Sequence, residues 1–305
     1  MKKLFLFTAL LGLLVSCAKN EVIQGGRLPI EISVGQLTKA NDSQFDADDK
    51  VGIYVVNNTN NEQGALGVSG NHVDNMCFTY GGNYWTPDET IYWKDRGTPA
   101  DFYAYYPYST SVSTIAAHPY NVRADQSQEE DFWASDFLWG KSANVTPTAS
   151  PVPITVKHVF SRILIDVVPG EGYIDESWAA ANVSVKVVGV KTSSTVDLSS
   201  GVAVADGESG EIIPLMKSAS GTAVSYMAMM VPQTVADNSK LIVVTVDGTD
   251  YVYRKGFSFK ANTQHKFSIA VNKNDCRVNV TIDEWEIDDT VNEGVAEEEN
   301  DDSKK

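Results

Sequence analysis

The sequence predicts an all-β protein built from two tandem sandwich domains. Three observations carry this. Short apolar segments with period-two alternation recur along the chain, as where Ile30, Ile32 and Val34 are separated by Glu31 and Ser33. Gly, Asn, Asp and Pro punctuate them at short intervals, as at Gly81-Gly82, Pro87-Asp88 and Arg96-Gly97. No stretch longer than about ten residues holds a convincing helical period. The 305 residues suit two domains of ordinary size.

The N-terminus predicts export. Met1-Lys2-Lys3 is followed by an apolar run from Leu4 to Val15 and then by Ser16-Cys17. Two lysines, a short apolar core and a small residue before a cut site make a secretory signal of residues 1–16. The run is too short for a bilayer helix, which needs about 20 apolar residues. Leu14-Val15-Ser16-Cys17 resembles a bacterial lipobox, so Cys17 is the expected lipidation site. The other reading is a plain secreted protein whose signal happens to end in cysteine. Two or more acyl chains hold a soluble domain stably at a membrane, whereas one anchors marginally.

A polar tether is expected over residues 17–27, then an N-terminal domain over 28–150. Its first strand carries Ile30, Ile32 and Val34. Asp46-Ala47-Asp48-Asp49 reads as a turn before the strand Val51-Gly52-Ile53-Tyr54-Val55-Val56. As a calcium loop it fails, because Val51 and Asn57 stand where an EF-hand needs Gly and Glu. Residues 57–70 are rich in Asn and Gly and read as a surface loop. Residues 77–80, 91–93 and 101–106 are short aromatic strands, and 109–128 look irregular. The stretch 142–153 holds three prolines among Ser, Thr and Asn. It is the candidate domain boundary, with a loop inside one domain as the alternative. Beyond it, strand-like segments fill a C-terminal domain over 151–288. An acidic tail over 289–305 is expected to be solvated and disordered, although it could contact a partner.

Net charge is −16, concentrated toward the C-terminus. Nucleic acid is therefore excluded as a partner, since phosphate binding needs clustered Lys and Arg. The four histidines show no metal-ligand spacing, and there is no Gly-x-Ser-x-Gly elbow, Walker loop or dinucleotide fingerprint. No catalytic residue, metal or cofactor is assigned, and the chain is expected not to be an enzyme. Cys77 and Cys276 are expected as buried free thiols, with a disulfide as the alternative. The aromatics Tyr84, Trp85, Tyr92, Trp93, Tyr103, Tyr105, Tyr106 and Tyr108 could make a sugar-stacking platform. Strand propensity and core filling are the preferred explanation of them.

Several motifs follow one another in order. They are Cys17-Ala18-Lys19-Asn20-Glu21, Lys50-Val51-Gly52-Ile53-Tyr54, Tyr84-Trp85-Thr86-Pro87 and Ile91-Tyr92-Trp93. Phe102-Tyr103-Ala104-Tyr105-Tyr106-Pro107-Tyr108, Asp136-Phe137-Leu138-Trp139 and Lys157-His158-Val159-Phe160-Ser161-Arg162-Ile163 continue the series. Met230-Val231-Pro232-Gln233-Thr234 and Thr281-Ile282-Asp283-Glu284-Trp285 complete it. The series resembles the fimbrillin-like lipoproteins that build type V pili in anaerobic Gram-negative bacteria.

The resemblance implies two transthyretin-like β-sandwich domains and a structural role as stalk, tip or anchor subunit of an adhesive surface fimbria. The implied partners are other fimbrial subunits, the outer membrane through the lipid, and a host or bacterial surface receptor. It also implies assembly by strand addition, in which a trypsin-like protease removes an N-terminal strand and a neighbouring subunit's strand fills the groove. On this chain Ile30, Ile32 and Val34 would line the plug strand. Arg27 and Lys39 are the flanking basic cut sites, and only a cut after Lys39 would release the strand. Val278, Val280 and Ile282 would line the donor strand, or that segment closes its own domain. The final residues offer no second alternating strand, which departs from a polymerising stalk subunit. The alternative from another functional class is a monomeric glycan-binding surface lipoprotein.

Overall fold

The structure, a computed structural model, describes residues 26–36, 45–59, 62–220, 222–272, 276–281 and 291–298. The signal segment, Cys17, Lys39 and Ile282 lie outside the described residues.

The chain first forms β1 (Ile32–Gln36), β2 (Lys50–Asn57), β3 (Val73–Tyr80), β4 (Trp85–Pro87) and β5 (Ala100–Tyr106). Then come β6 (His118–Pro119), the single-turn helix α1 (Glu129–Trp133), β7 (Leu138–Val145) and β8 (Val152–His158). All these strands except β6 form one seven-stranded sheet, in the order β1-β8-β7-β5-β2-β3-β4. Central strands β2 and β5 are buried on both faces. That is why their sequences read as near-continuous apolar runs instead of alternating. One face carries Val51, Ile53, Val55, Phe102 and Ala104, in a core shared with Trp85, Ile91 and Trp93. The other face carries Tyr54, Tyr103 and Tyr105, which join the second core. At Gly52 a side chain would strike the Tyr105 ring, so the glycine lets that ring cross β2.

The second half forms β9 (Ser161–Pro169), α2 (Asp175–Ala179), β10 (Val183–Asp197), β11 (Val202–Ile212), β12 (Leu215–Ser220) and β13 (Ala223–Met230). It continues with β14 (Gln233–Val235), β15 (Lys240–Val246), β16 (Thr249–Arg254), β17 (Phe257–Phe259), β18 (Gln264–Val271), β19 (Cys276–Thr281) and β20 (Val291–Glu298). One leaf runs β11-β10-β15-β16 and the other β19-β18-β9-β13-β12, with β20 hydrogen-bonded between β16 and β19. Val185, Val187, Ile242 and Val244 of the first leaf share a core with Ile163, Ile165, Val167, Phe267 and Ile269 of the second. Apolar side chains on alternate positions of two leaves, closed face to face, make a sandwich. The all-β sandwich class expected from the sequence is the class observed.

Two expectations differ from what is seen. The boundary expected at residue 150 falls inside the first sheet, because β8 pairs antiparallel with β7, Leu138 opposite His158. The proline-rich stretch is the turn of that hairpin, held by the Ser142 hydroxyl donating to the Pro153 carbonyl. Turn chemistry marks a reversal of the chain whether or not a domain ends there. The chain leaves the first sheet at Val159 and Phe160, both buried, so the crossing is apolar and carries no linker composition. Second, part of the tail expected to be disordered, Val291–Glu298, forms β20. Ladder hydrogen bonds are made by the backbone, so an acidic sequence does not forbid them.

The two halves also meet at Trp139 of β7. Its indole N–H donates to the Leu198 carbonyl at 2.7 Å, and its ring lies on Gly201 in the β10–β11 turn. Gly201 has φ +72°, so an added side chain would be strained and would also strike the ring. Gly201→Ala is expected to cost about 1–3 kcal/mol, read from the urea midpoint.

Candidate functional site

The N-terminal strand is the site on which the sequence expectations converge. Its alternation is as the sequence predicts: Ile30, Ile32 and Val34 are buried, whereas Glu31 and Ser33 are exposed. β1 pairs with β8 in parallel, Ile32 opposite Val152, Val34 opposite Ile154 and Gln36 opposite Val156. Every other pairing in this sheet is antiparallel. Among the described residues β1 is therefore an edge strand, and its ladder partner lies more than a hundred residues away in sequence. Its position is set by tertiary contact and not by a hairpin.

The segment just before β1 is clamped separately. The Ile30 N–H donates to the Ile91 carbonyl and the Trp93 N–H to the Leu28 carbonyl, both at 2.9 Å. Beyond them the Trp85 indole N–H donates to the Val34 carbonyl at 3.1 Å. Trp85 and Trp93, which belong to two of the family-like motifs, thus hold the strand and its flank. A cleft of about 1340 Å³ runs along the segment, with residues 27–34 on one side and Tyr80, Tyr84, Trp85 and Tyr92 on the other. Trp85→Phe keeps a ring there but removes the donor. It is expected to lower stability by about 1 kcal/mol and to speed hydrogen exchange of the β1 amides, measured by mass spectrometry.

The other candidate residues are more scattered. Arg27 is exposed and stacks over the Tyr92 ring, 5.1 Å from its centroid. Val278 and Val280 lie in β19, which pairs antiparallel with β18 and with β20 in its own sandwich. The structure therefore does not bring the donor candidates to the β1 groove. Asp46 to Asp49 form the expected turn, with the Asp46 N–H donating to the Asp49 carboxylate at 2.8 Å and Asp48 at φ 75°. Cys77 is a buried free thiol, and burial pushes its pKa up, which keeps it protonated and unreactive.

Most of the aromatics between Tyr84 and Tyr108 serve the core. Trp85, Trp93, Tyr103 and Tyr105 are buried, and only Tyr84, at 69% exposure, stands out in solvent. The sugar platform expected there as an alternative is therefore not assembled. The feature that sequence reasoning missed is the parallel pairing of β1 with β8. The signal was present in Val152, Ile154 and Val156, which alternate in the same phase as Ile32 and Val34.

The sequence profile of a fimbrillin-like family matches residues 38–285. No curated protein matches the chain significantly. A solved protein from Bacteroides ovatus assigned to cell adhesion is similar in fold, with TM-score 0.69 and 15% identity over 86% of this chain and 99% of that one. Another such protein, from Bacteroides uniformis, gives 0.63 and 20% over 86% and 98%. A fimbrial protein from Bacteroides vulgatus gives 0.52 and 13% over 84% and 99%. These likenesses are likenesses of fold. The profile match is one of sequence, and it runs from just after β1 through both halves of the structure, so the chain belongs to the fimbrillin-like family.

Proposed function

We propose that this protein is a structural subunit of an adhesive cell-surface fimbria, exported as a lipoprotein acylated at Cys17 and assembled by strand addition. The observation that carries the reading is β1, an apolar-faced edge strand inserted parallel into an otherwise antiparallel sheet. Its removal breaks one ladder and leaves β8 with unpaired backbone groups beside an apolar row. Such an edge accepts a strand from another chain, with backbone bonds giving affinity and alternating side chains giving register. A cut after Lys39 would free the strand, whereas a cut after Arg27 would leave it in place. For the 276–281 segment to serve as donor, it would first have to leave β18 and β20.

Cys17 has a different fate in each position. An anchor subunit keeps its lipid, and a stalk or tip subunit cut after Lys39 discards it. Isolated surface fimbriae would be analysed by mass spectrometry. The expected result is this chain in denaturant-resistant ladders with a mature N-terminus at Ala40. Assembled chains still beginning at acylated Cys17 would rule out strand removal as the assembly step.

A further inference from the structure

A strap of main chain ties the first half to the second. Residues 115–122, which follow β5, run along the C-terminal part of β10. His118 and Pro119 of β6 pair antiparallel with Val196 and Thr195. The Tyr120 N–H donates to the Ser194 carbonyl and the Val122 N–H to the Thr192 carbonyl, both at 3.0 Å. The Leu198 N–H donates back to the Ile115 carbonyl at 2.8 Å, and the Ser194 hydroxyl to the Tyr120 carbonyl. A cavity of about 700 Å³ opens beside the strap, lined by Tyr106, Asn121, Trp133 and Ser193 among others, and brings solvent to one flank of this ladder. Past the strap the chain is pinned again: the buried Gln126 side chain donates to the Met229 carbonyl at 2.9 Å and accepts the Met229 N–H at 2.8 Å.

In the middle of the strap sits His118, 6% exposed. Its ring centroid lies 5.9 Å from that of Tyr105 and 6.2 Å from that of Phe137. Its Nδ1 is buried and has no hydrogen-bond partner among the described residues. Such a wall accepts a neutral imidazole. An imidazolium would bring a charge and a second N–H donor with nothing to meet either. The titratable groups on the surrounding elements are engaged elsewhere. Tyr105 of β5 gives its hydroxyl to Asn75, and the Tyr54 ring of β2 stacks beside it. Tyr120 of the strap gives its hydroxyl to the Ala134 and Asp136 carbonyls. Asp136, ahead of β7, pairs with His158 at 2.8 Å, and Asp101 and Lys141 of β5 and β7 pair with each other. Asp197, next to Val196 on β10, accepts the Ser199 N–H at 2.8 Å. Burial alone acts on His118, and it pushes the ring below its ordinary pKa of about 6.5. A histidine lowered in the seated state favours seating fully above its free pKa and loses that contribution as pH falls below it.

We propose that His118 makes the junction between the two halves acid-sensitive, its protonation in mild acid unseating residues 115–122 from β10 while both sandwiches stay folded. The proposal does not depend on strand-addition assembly, since a single chain carries the whole device. Amide hydrogen exchange of the full-length protein, resolved by NMR at pH 7.5, 6 and 5 and corrected for the intrinsic pH dependence of exchange, tests it. The opening constant of the Tyr120, Val122 and Leu198 amides is expected to rise severalfold on acidification. The ceiling is about thirtyfold, set by a free histidine pKa near 6.5. Amides in the middle of β9 and β18 are expected to stay unchanged. His118→Phe keeps a ring and binds no proton, so its strap protection is expected to be constant over the same range. An equal rise in His118→Phe would place the sensor elsewhere and overturn the proposal. Two outcomes in the wild type overturn it without any variant. One is a strap opening constant that changes less than about twofold, or no more than that of β9 and β18. The other is a His118 ring whose C–H resonances titrate at or above about pH 6.5 in the folded protein.

Discussion

Ile32→Asp in β1 is expected to detach the strand from β8 and to destabilise the first sheet by about 2–5 kcal/mol. The side chain of Ile32 lies in the apolar core with Val34, Trp85 and Phe102. A carboxylate there has no counter-charge, and burying it would cost more than letting the edge strand go. Because no other strand depends on β1 for its ladder, the antiparallel strands β8-β7-β5-β2-β3-β4 should persist. Exchange protection should disappear in residues 31–36, dye binding to exposed apolar surface should rise, and the second sandwich should melt unchanged. Ser33→Asp is the internal control: Ser33 faces solvent and should change stability by less than about 0.5 kcal/mol. Equal damage from the two substitutions would mean that the strand does not present one face to the core.

The one-residue difference between those outcomes is also what made β1 legible. Period-two alternation reports which side chains face inward, and it is visible without any knowledge of the partner. Pairing partners are not encoded that way. The same alternation suits parallel or antiparallel neighbours, so the sequence could nominate Ile30, Ile32 and Val34 but not place them against Val152 and Ile154. The crossing between the two halves is hidden in the sequence for a related reason. Proline and serine at 142–153 signal a turn, whereas the true crossing at Val159 and Phe160 is indistinguishable from core.

Some motifs that read as family signposts turn out to be structural fastenings. Asp136 and His158 belong to two motifs and meet as a buried pair at 2.8 Å. Tyr105 of the aromatic motif donates its hydroxyl to Asn75 at 2.7 Å. Such contacts join residues 22 or 30 positions apart, beyond any local pattern. Tyr106, Asn121, Trp133 and Ser193 likewise line one cavity only after both halves have folded.

Asp101→Ala should be the most damaging single substitution of a polar residue in the first sheet, at about 3–5 kcal/mol. Asp101, in β5, is fully buried. It accepts the Asn144 N–H at 2.7 Å and the Asn58 amide at 3.3 Å, and it pairs with the Lys141 ammonium at 2.9 Å. The cluster fastens the end of β2, the start of β5 and the end of β7. Removing the carboxylate strands a half-buried lysine and two oriented donors, which costs the desolvation of each. Burial alone would raise the Asp101 pKa, but the Asn144, Lys141 and Asn58 donors outweigh it and hold the carboxyl below the usual range. A carboxyl lowered on folding stabilises above its unfolded pKa of about 3.9 and loses that contribution as pH falls through the folded value. Burial would lower the Lys141 pKa, yet Tyr103 and Asp101 leave it raised. Its contribution is present below the unfolded value of about 10.4 and is lost as pH rises beyond it. The cluster should therefore contribute in full between about pH 4 and 10. Urea midpoints of the wild type and of Asp101→Asn, taken at pH 7, 4, 3 and 2, separate this from the titration of the other acids. The wild type should lose its advantage over Asp101→Asn as the pH drops below about 4. A gap that stays constant down to pH 2 would show that the charge on Asp101 is not what the cluster uses.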